Sequence, residues 1–157
     1  MKQNSKDLIY LCACAVNEIV PEHVETMDLD GIFAIAARHL LLVAVSFALQ
    51  SAGVQDPQIQ TAIASATRKA VILDHEKAAL CERLEEAGIW YMPLKGAILK
   101  DYYPKLGMRE MSDYDIFYDA ACSEELRAIM EDFGFSTERF ETFSHHDVFF
   151  QRTRYDF

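Results

Sequence analysis

The sequence predicts an α+β protein, an N-terminal helical region packed on a small mixed β-sheet. Two observations carry this. Apolar residues recur at helical spacing from Leu8 to about Leu84, and beyond Gly88 the pattern changes to short aromatic and apolar runs separated by turn residues. A chain of 157 residues suits one domain, or one with a small appendage. Its folding buries roughly 70% of the surface that the unfolded chain exposes, enough for a core without staples.

Taken in order, Leu8, Leu11, Cys12, Ala15, Ile19 and Val20 form a first helical stripe that Pro21 stops. A second helix is expected over residues 30–52, with Asp28 and Asp30 at its positive end and Gly53 as terminator. A third begins with Pro57 after Asp56 and ends at Gly88. Its stripe of Ile59, Ile63, Ala66, Ala70, Leu73, Ala78, Leu80 and Leu84 is imperfect enough to admit a break near Asp74. Residues 89–94 read as a strand, and Gly96 opens a short helix that reaches Tyr103 before Pro104. Residues 113–118 read as a strand and residues 124–133 as a helix ended by Gly134; residues 135–140, 147–152 and 154–157 read as further short strands. The seam falls near Gly88, dividing a helical region over residues 1–88 from an α/β core over residues 89–157. There is no internal repeat, low-complexity tract or long linker.

Charge narrows the function. With 15 Lys and Arg against 25 Asp and Glu, the net charge of −10 argues against nonspecific nucleic-acid binding, which needs clustered cations. An acidic protein that handles phosphates does so more readily through divalent metals, which turn carboxylates into an anion site. Cys12, Cys14, Cys81 and Cys122 contain no Cys-x-x-Cys pair and no His at zinc spacing, so they read as small buried residues of a reducing, cytoplasmic compartment. Leu11-Cys12-Ala13-Cys14 has the look of a lipoprotein cleavage box, but Asp7 precedes it and the apolar stretch is short for a signal core. The apolar run over residues 32–49 holds Arg38 and His39 near its middle, where a central Arg would cost about 3 kcal/mol in a bilayer. A core helix fits it better than a membrane span.

The chemistry-bearing stretch is Leu94-Lys95-Gly96-Ala97 followed, after the short helix, by Arg109-Glu110-Met111-Ser112-Asp113-Tyr114-Asp115-Ile116. On a strand, Asp113 and Asp115 would share one face about 7 Å apart, placed to bridge divalent ions. Gly96 offers a backbone without Cβ at a helix start, where N–H groups and the dipole favour anions, and Lys95 and Lys100 add positive charge. A bare Asp-x-Asp is a weak signal. Joined to Leu-Lys-Gly, a helix and an Arg-x-x-Ser lead-in, it is considerably more specific.

These motifs resemble the nucleotidyltransferase superfamily with the DNA polymerase β-like core, in particular the uncharacterised bacterial branch in which Leu-Lys-Gly precedes Arg-x-x-x-Asp-x-Asp. The likeness is strongest over residues 89–119 and extends weakly to an Ala-x-x-His segment at Ala36 and His39. It implies a small sheet of nucleotidyltransferase type and metal-dependent transfer of a nucleoside monophosphate from an NTP to an acceptor. By the resemblance, Asp113 and Asp115 hold Mg²⁺ or Mn²⁺, and Lys95, Gly96, Arg109 and Ser112 bind the nucleotide. There are departures. The superfamily's Gly-Ser is Gly96-Ala97 here, and its third carboxylate, a Glu on a later strand, has only Asp156 as a stand-in. Either Asp156 completes the site or the core is incomplete at its C-terminus, and a catalytically inactive binding or regulatory module is the alternative. The acceptor stays open among protein, small molecule and RNA, with net acidity lowering the RNA options.

Competing readings attach to the remaining residues. Arg109 suits phosphate neutralisation, and equally a brace on Asp113 or Glu110. Lys95 suits a phosphate contact, though an exposed lysine at a strand end is ordinary. His145-His146-Asp147 lacks the further ligands of a metal site, and His39 reads as a core or interhelical histidine. Trp90, Tyr91, Phe133, Phe135, Phe149 and Phe150 read as core. Tyr102 and Tyr103 read the same way, with base stacking as the other use. A helical interaction module with an incidental acidic loop is the third reading, and it predicts no metal dependence.

Overall fold

A computed structural model describes residues 2–111, 113–138 and 147–150. Among them the elements are α1 (Gln3–Val16), α2 (Leu29–Arg38), α3 (Leu42–Ser51), α4 (Pro57–Glu86), β1 (Tyr91–Pro93), α5 (Gly96–Leu99), β2 (Ile116–Tyr118), α6 (Ser123–Asp132), β3 (Ser136–Glu138) and β4 (Val148–Phe150). The class is α+β with helices first, as expected. The described strands pair as two separate antiparallel ribbons, β1 with β2 and β3 with β4, where one mixed sheet was expected. Expected strand residues 154–157 lie outside the described residues.

Two compact units form. The first takes the described residues up to His75 together with Leu94–Asp115; the second takes Glu76–Pro93 and the described residues from Ile116 onward. Each unit thus draws on both sides of Gly88, where the sequence places a single seam.

In the first unit, α1 contributes Leu8, Leu11, Cys14 and Ala15 to a core shared with Ile32, Phe33 and Ala36 of α2 and Ala44, Val45, Ala48 and Leu49 of α3. Ile59 and Met108 close it. The spacing of Leu8, Leu11 and Ala15 turns one stripe of α1 inward. In contrast, α3 is buried on Val43, Ala44, Val45, Ser46, Ala48 and Leu49, nearly all round, which explains why its sequence reads like a membrane segment. No helix among the described residues is long and apolar enough to cross a membrane.

The expected single helix over residues 30–52 is two. Leu40 adopts φ 56°, and the Leu41 N–H returns 2.9 Å to the carbonyl of Ala36, closing α2 with a left-handed cap. Arg38 and His39 are consequently exposed at a helix end, not in a core. Likewise α1 stops at Val16, before Pro21: Glu18 takes φ 55° and the Ile19 N–H bonds the Cys14 carbonyl at 2.9 Å. Neither stop carries a glycine, so neither had a sequence signal. The glycine stops hold, with Gly53, Gly88 and Gly134 at φ 79°, 69° and 82°. At the helix start, Asp28 accepts from the Gly31 N–H at 3.1 Å and from the Asn4 amide at 2.7 Å, which hold its carboxyl below the usual range. Helix α4 is unbroken through Asp74.

The second unit packs Leu84 and Ile89 against Leu126, Ile129 and Met130 of α6, with Tyr91, Ile116, Tyr118, Phe133, Phe135 and Phe149 partly buried around them. The β1–β2 register pairs Tyr91 with Tyr118, Met92 with Phe117 and Pro93 with Ile116. Alternation leaves Met92 and Phe117 exposed, and Trp90 stands edge-on to Phe117 at 5.7 Å. Trp90, Tyr102 and Tyr103 are therefore surface residues and not the core that their aromaticity suggested. Burial and a hydrogen bond to Asp147 push the Tyr118 phenol up to about 12. The four cysteines are free; Cys14 is buried, and Cys12, Cys81 and Cys122 are half-buried.

Candidate functional site

Among the described residues, Lys95, Gly96, Arg109, Asp113 and Asp115 all belong to the first unit. The Leu94 N–H donates to the carbonyl of Asp115 at 2.9 Å, tying the Leu-Lys-Gly turn to the Asp-x-Asp segment. Lys95 follows with φ 48° and ψ −118°, the dihedrals of the first central position of a type II′ turn, and the Ala97 N–H closes that turn on the Leu94 carbonyl at 3.2 Å. This conformation favours glycine, so a lysine there is strained. The turn sends the chain directly into α5 and turns the Lys95 ammonium to Oδ2 of Asp115, 3.1 Å away.

Asp113 and Asp115 precede β2, which starts at Ile116, so the expected strand over residues 113–118 is shorter than its apolar pattern implied. Asp115 is placed by the Leu94 bond and not by ladder alternation. Asp113 is exposed and Asp115 is half-buried.

Arg109 reaches the same turn. A Cβ on Gly96 would stand 3.3 Å from Nη2 of Arg109 and 3.4 Å from Cε of Met111, so both side chains close over the glycine. Three neighbours hold Arg109 there. Gly107, at φ 81°, runs so near α4 that a Cβ would meet the Ala66 carbonyl carbon and oxygen at 2.9 Å. Met108 is buried in the helical core, and Oε1 of Glu110 accepts from the Val43 N–H at 3.3 Å, satisfying an orphan donor of α3. Glu110 is thus engaged with a helix, and the guanidinium of Arg109 is left over Gly96.

Lys100 is spent elsewhere. Its ammonium sits 2.5 Å from Asp74 and 3.4 Å from Asp101, an ion-pair set that binds the end of α5 to α4. Burial works against its charge, but the two carboxylates outweigh burial and raise its pKa. Lys105 is likewise paired, 2.6 Å from Glu18.

Ser112, Asp156, His145 and His146 lie outside the described residues. Among the described residues no three His, Cys, Asp or Glu side chains gather as a metal-binding group. Asp113 and Asp115 supply hard carboxylate oxygens, the donors that Mg²⁺ takes one or two at a time while phosphates and water complete its shell. The donor chemistry of the two carboxylates fits such a cation, and Asp115 is paired with the Lys95 ammonium. Residues that sequence reasoning missed are Gly107 and Met111. Gly107 follows the Pro104 turn, a signal that was there to read, whereas nothing local marks Met111.

The model of a family described as an uncharacterised nucleotidyltransferase matches residues 25–156. No curated protein and no solved structure matches the chain.

Proposed function

The chain belongs to the uncharacterised nucleotidyltransferase family, and on that premise we propose that it moves a nucleoside monophosphate from an NTP to an acceptor in a metal-dependent reaction. One observation carries the reading: the bond from Leu94 to Asp115 gathers a glycine turn, two cationic side chains and a carboxylate in one place. The Arg109 guanidinium closes over Gly96 and the Lys95 ammonium lies at the adjacent turn residue, so the two would supply positive charge to a phosphate at this turn. Asp113 and Asp115 would hold Mg²⁺ or Mn²⁺, and the bound cation would neutralise charge on the transferring phosphate. Ser112, which precedes Asp113 in the sequence, would be a further phosphate donor.

In the reaction an acceptor oxygen attacks the α-phosphorus, the bond from that phosphorus to the bridging oxygen breaks, and pyrophosphate leaves. The acceptor's proton passes to a third carboxylate, for which Asp156 is the candidate. Arg109 and Lys95 orient the phosphates for in-line displacement, which is where most of the acceleration in phosphoryl transfer arises.

The test is thermal unfolding with ATP, GTP, CTP or UTP, with and without Mg²⁺ or Mn²⁺. A nucleotide at one hundred times its Kd stabilises by about 2.7 kcal/mol, a rise of roughly 5–11 °C for a chain of this size. The expected result is a metal-dependent rise with at least one nucleotide that Asp113→Asn and Asp115→Asn each abolish. A rise unaffected by both substitutions, or none with any nucleotide, refutes the proposal. A metal-dependent rise without pyrophosphate release toward any acceptor would instead identify a binding module.

A further inference from the structure

Lys95 combines two features that stability alone does not explain. Its backbone lies at φ 48° and ψ −118°, where glycine is favoured and a lysine costs free energy. Its side chain is largely exposed, yet the ammonium rests 3.1 Å from Oδ2 of Asp115. An exposed ion pair of this kind contributes little to folding and does not offset the strain. Asp115 is also held from behind, through its own carbonyl, by the Leu94 N–H at 2.9 Å. Turn and carboxylate are therefore built to meet, and the lysine stands where a glycine would sit more easily.

We infer that Lys95 is an internal counter-ion of the Asp-x-Asp site: its ammonium occupies Asp115 while no nucleotide is bound and passes to the triphosphate when a divalent cation and nucleotide arrive together. The inference rests on the proposed function and adds an order to it. Without nucleotide, the ammonium competes for Asp115 and discourages binding of a bare cation. With nucleotide, the phosphates offer Lys95 a more highly charged partner, and Asp115 is freed in the same event. Cation and nucleotide binding are thereby coupled through one side chain, with each favouring the other.

The experiment uses the full chain and four variants, Lys95→Met, Lys95→Arg, Lys95→Gly and Asp115→Asn, with MnCl2 alone followed by separate additions of ATP, GTP, CTP and UTP. Free Mn²⁺ is read by its paramagnetic resonance signal and nucleotide binding by calorimetry. Removing the ammonium in Lys95→Met is expected to tighten Mn²⁺ binding without nucleotide by about 2- to 5-fold, the span an exposed ion pair carries. The same change should weaken metal–nucleotide binding by about 10-fold, since a charge-assisted phosphate contact is lost. Lys95→Arg should stay near the parent in both. Lys95→Gly should repeat the two shifts of Lys95→Met while raising Tm, because it also removes the strained backbone.

Equal Mn²⁺ uptake by the parent and Lys95→Met, including none by either, overturns the counter-ion role. If metal–nucleotide binding still depends on Asp115 in that case, the proposed function stands without it. Nucleotide binding indifferent to Asp115→Asn removes both. A Tm lowered by Lys95→Gly would show that the turn is not strained, and it too would overturn the inference.

Discussion

Replacing Gly107 by alanine tests the element that carries Arg109 to the site. Two costs add. At φ 81° an alanine pays for a left-handed backbone, about 1 kcal/mol. Its Cβ would also stand 2.9 Å from the carbonyl carbon and oxygen of Ala66 and 3.0 Å from the Thr67 nitrogen. These are backbone atoms inside α4 and cannot rotate away, so the loop must lift by a few tenths of an ångström. That displacement drags on buried Met108 and on the Glu110 contact with Val43. Overpacking of this kind costs about 1–3 kcal/mol. Gly53 supplies the control: its φ is 79°, but nothing lies within 4 Å of a Cβ built there, so Gly53→Ala carries only the conformational cost. Gly107→Ala should then lose about 2–4 kcal/mol and roughly 4–16 °C of Tm, against about 1 kcal/mol and 2–4 °C for Gly53→Ala. Thermal unfolding followed by circular dichroism, supported by urea titration, measures both. Matching losses in the two variants would mean that the loop does not press on α4 and that Arg109 is not anchored as described.

Two further outcomes follow from the same packing. Leu11→Ala, at a side chain with 0% exposure in the helical core, should destabilise by about 2–5 kcal/mol in urea unfolding, and Ile9→Ala, at 57% exposure, should fall well below that. Asp28, whose carboxyl is lowered by the Gly31 N–H and the Asn4 amide, contributes stability above its unfolded pKa of about 3.9 and loses it as pH falls through the folded value. Asp28→Asn should therefore narrow the parent's stability advantage as pH drops below about 4, and an unchanged difference between the two chains from pH 7 to pH 2.5 would exclude that role.

What was readable in the chain depended on whether the signal was local. Gly53, Gly88 and Gly134 end helices because only a residue without Cβ enters the left-handed region freely, and all three do so. Glu18 and Leu40 end helices in the same conformation without that composition, held by bonds from the next residues, Ile19 to the Cys14 carbonyl and Leu41 to the Ala36 carbonyl. The periodic pattern over residues 30–52 therefore read as one helix. Residue types and spacing singled out Lys95, Gly96, Arg109 and Asp115 as candidates, and the structure places Lys95 against Asp115 and Arg109 over Gly96. Lys100 has the right charge at the right distance in sequence, but Asp74 of α4 claims it. Arg109 had two equal readings, phosphate neutralisation and a brace on Asp113 or Glu110, and the structure shows its guanidinium over Gly96 and Glu110 bonded to the Val43 N–H.

By itself the sequence determined the α+β class, the helices whose ends carry Asp, Pro or Gly, and the glycine turn followed by a carboxylate pair. Each of these follows from backbone chemistry within a few residues. Tertiary structure alone decided the division of one apolar run into α2 and α3, the exposure of Trp90, Met92 and Phe117, the shortening of β2 to Ile116–Tyr118, and which cations face the carboxylates. The reason is common to all of them: burial, capping by a distant side chain and competition among ion-pair partners depend on residues far apart in the chain, and a local pattern holds no record of who the partner is.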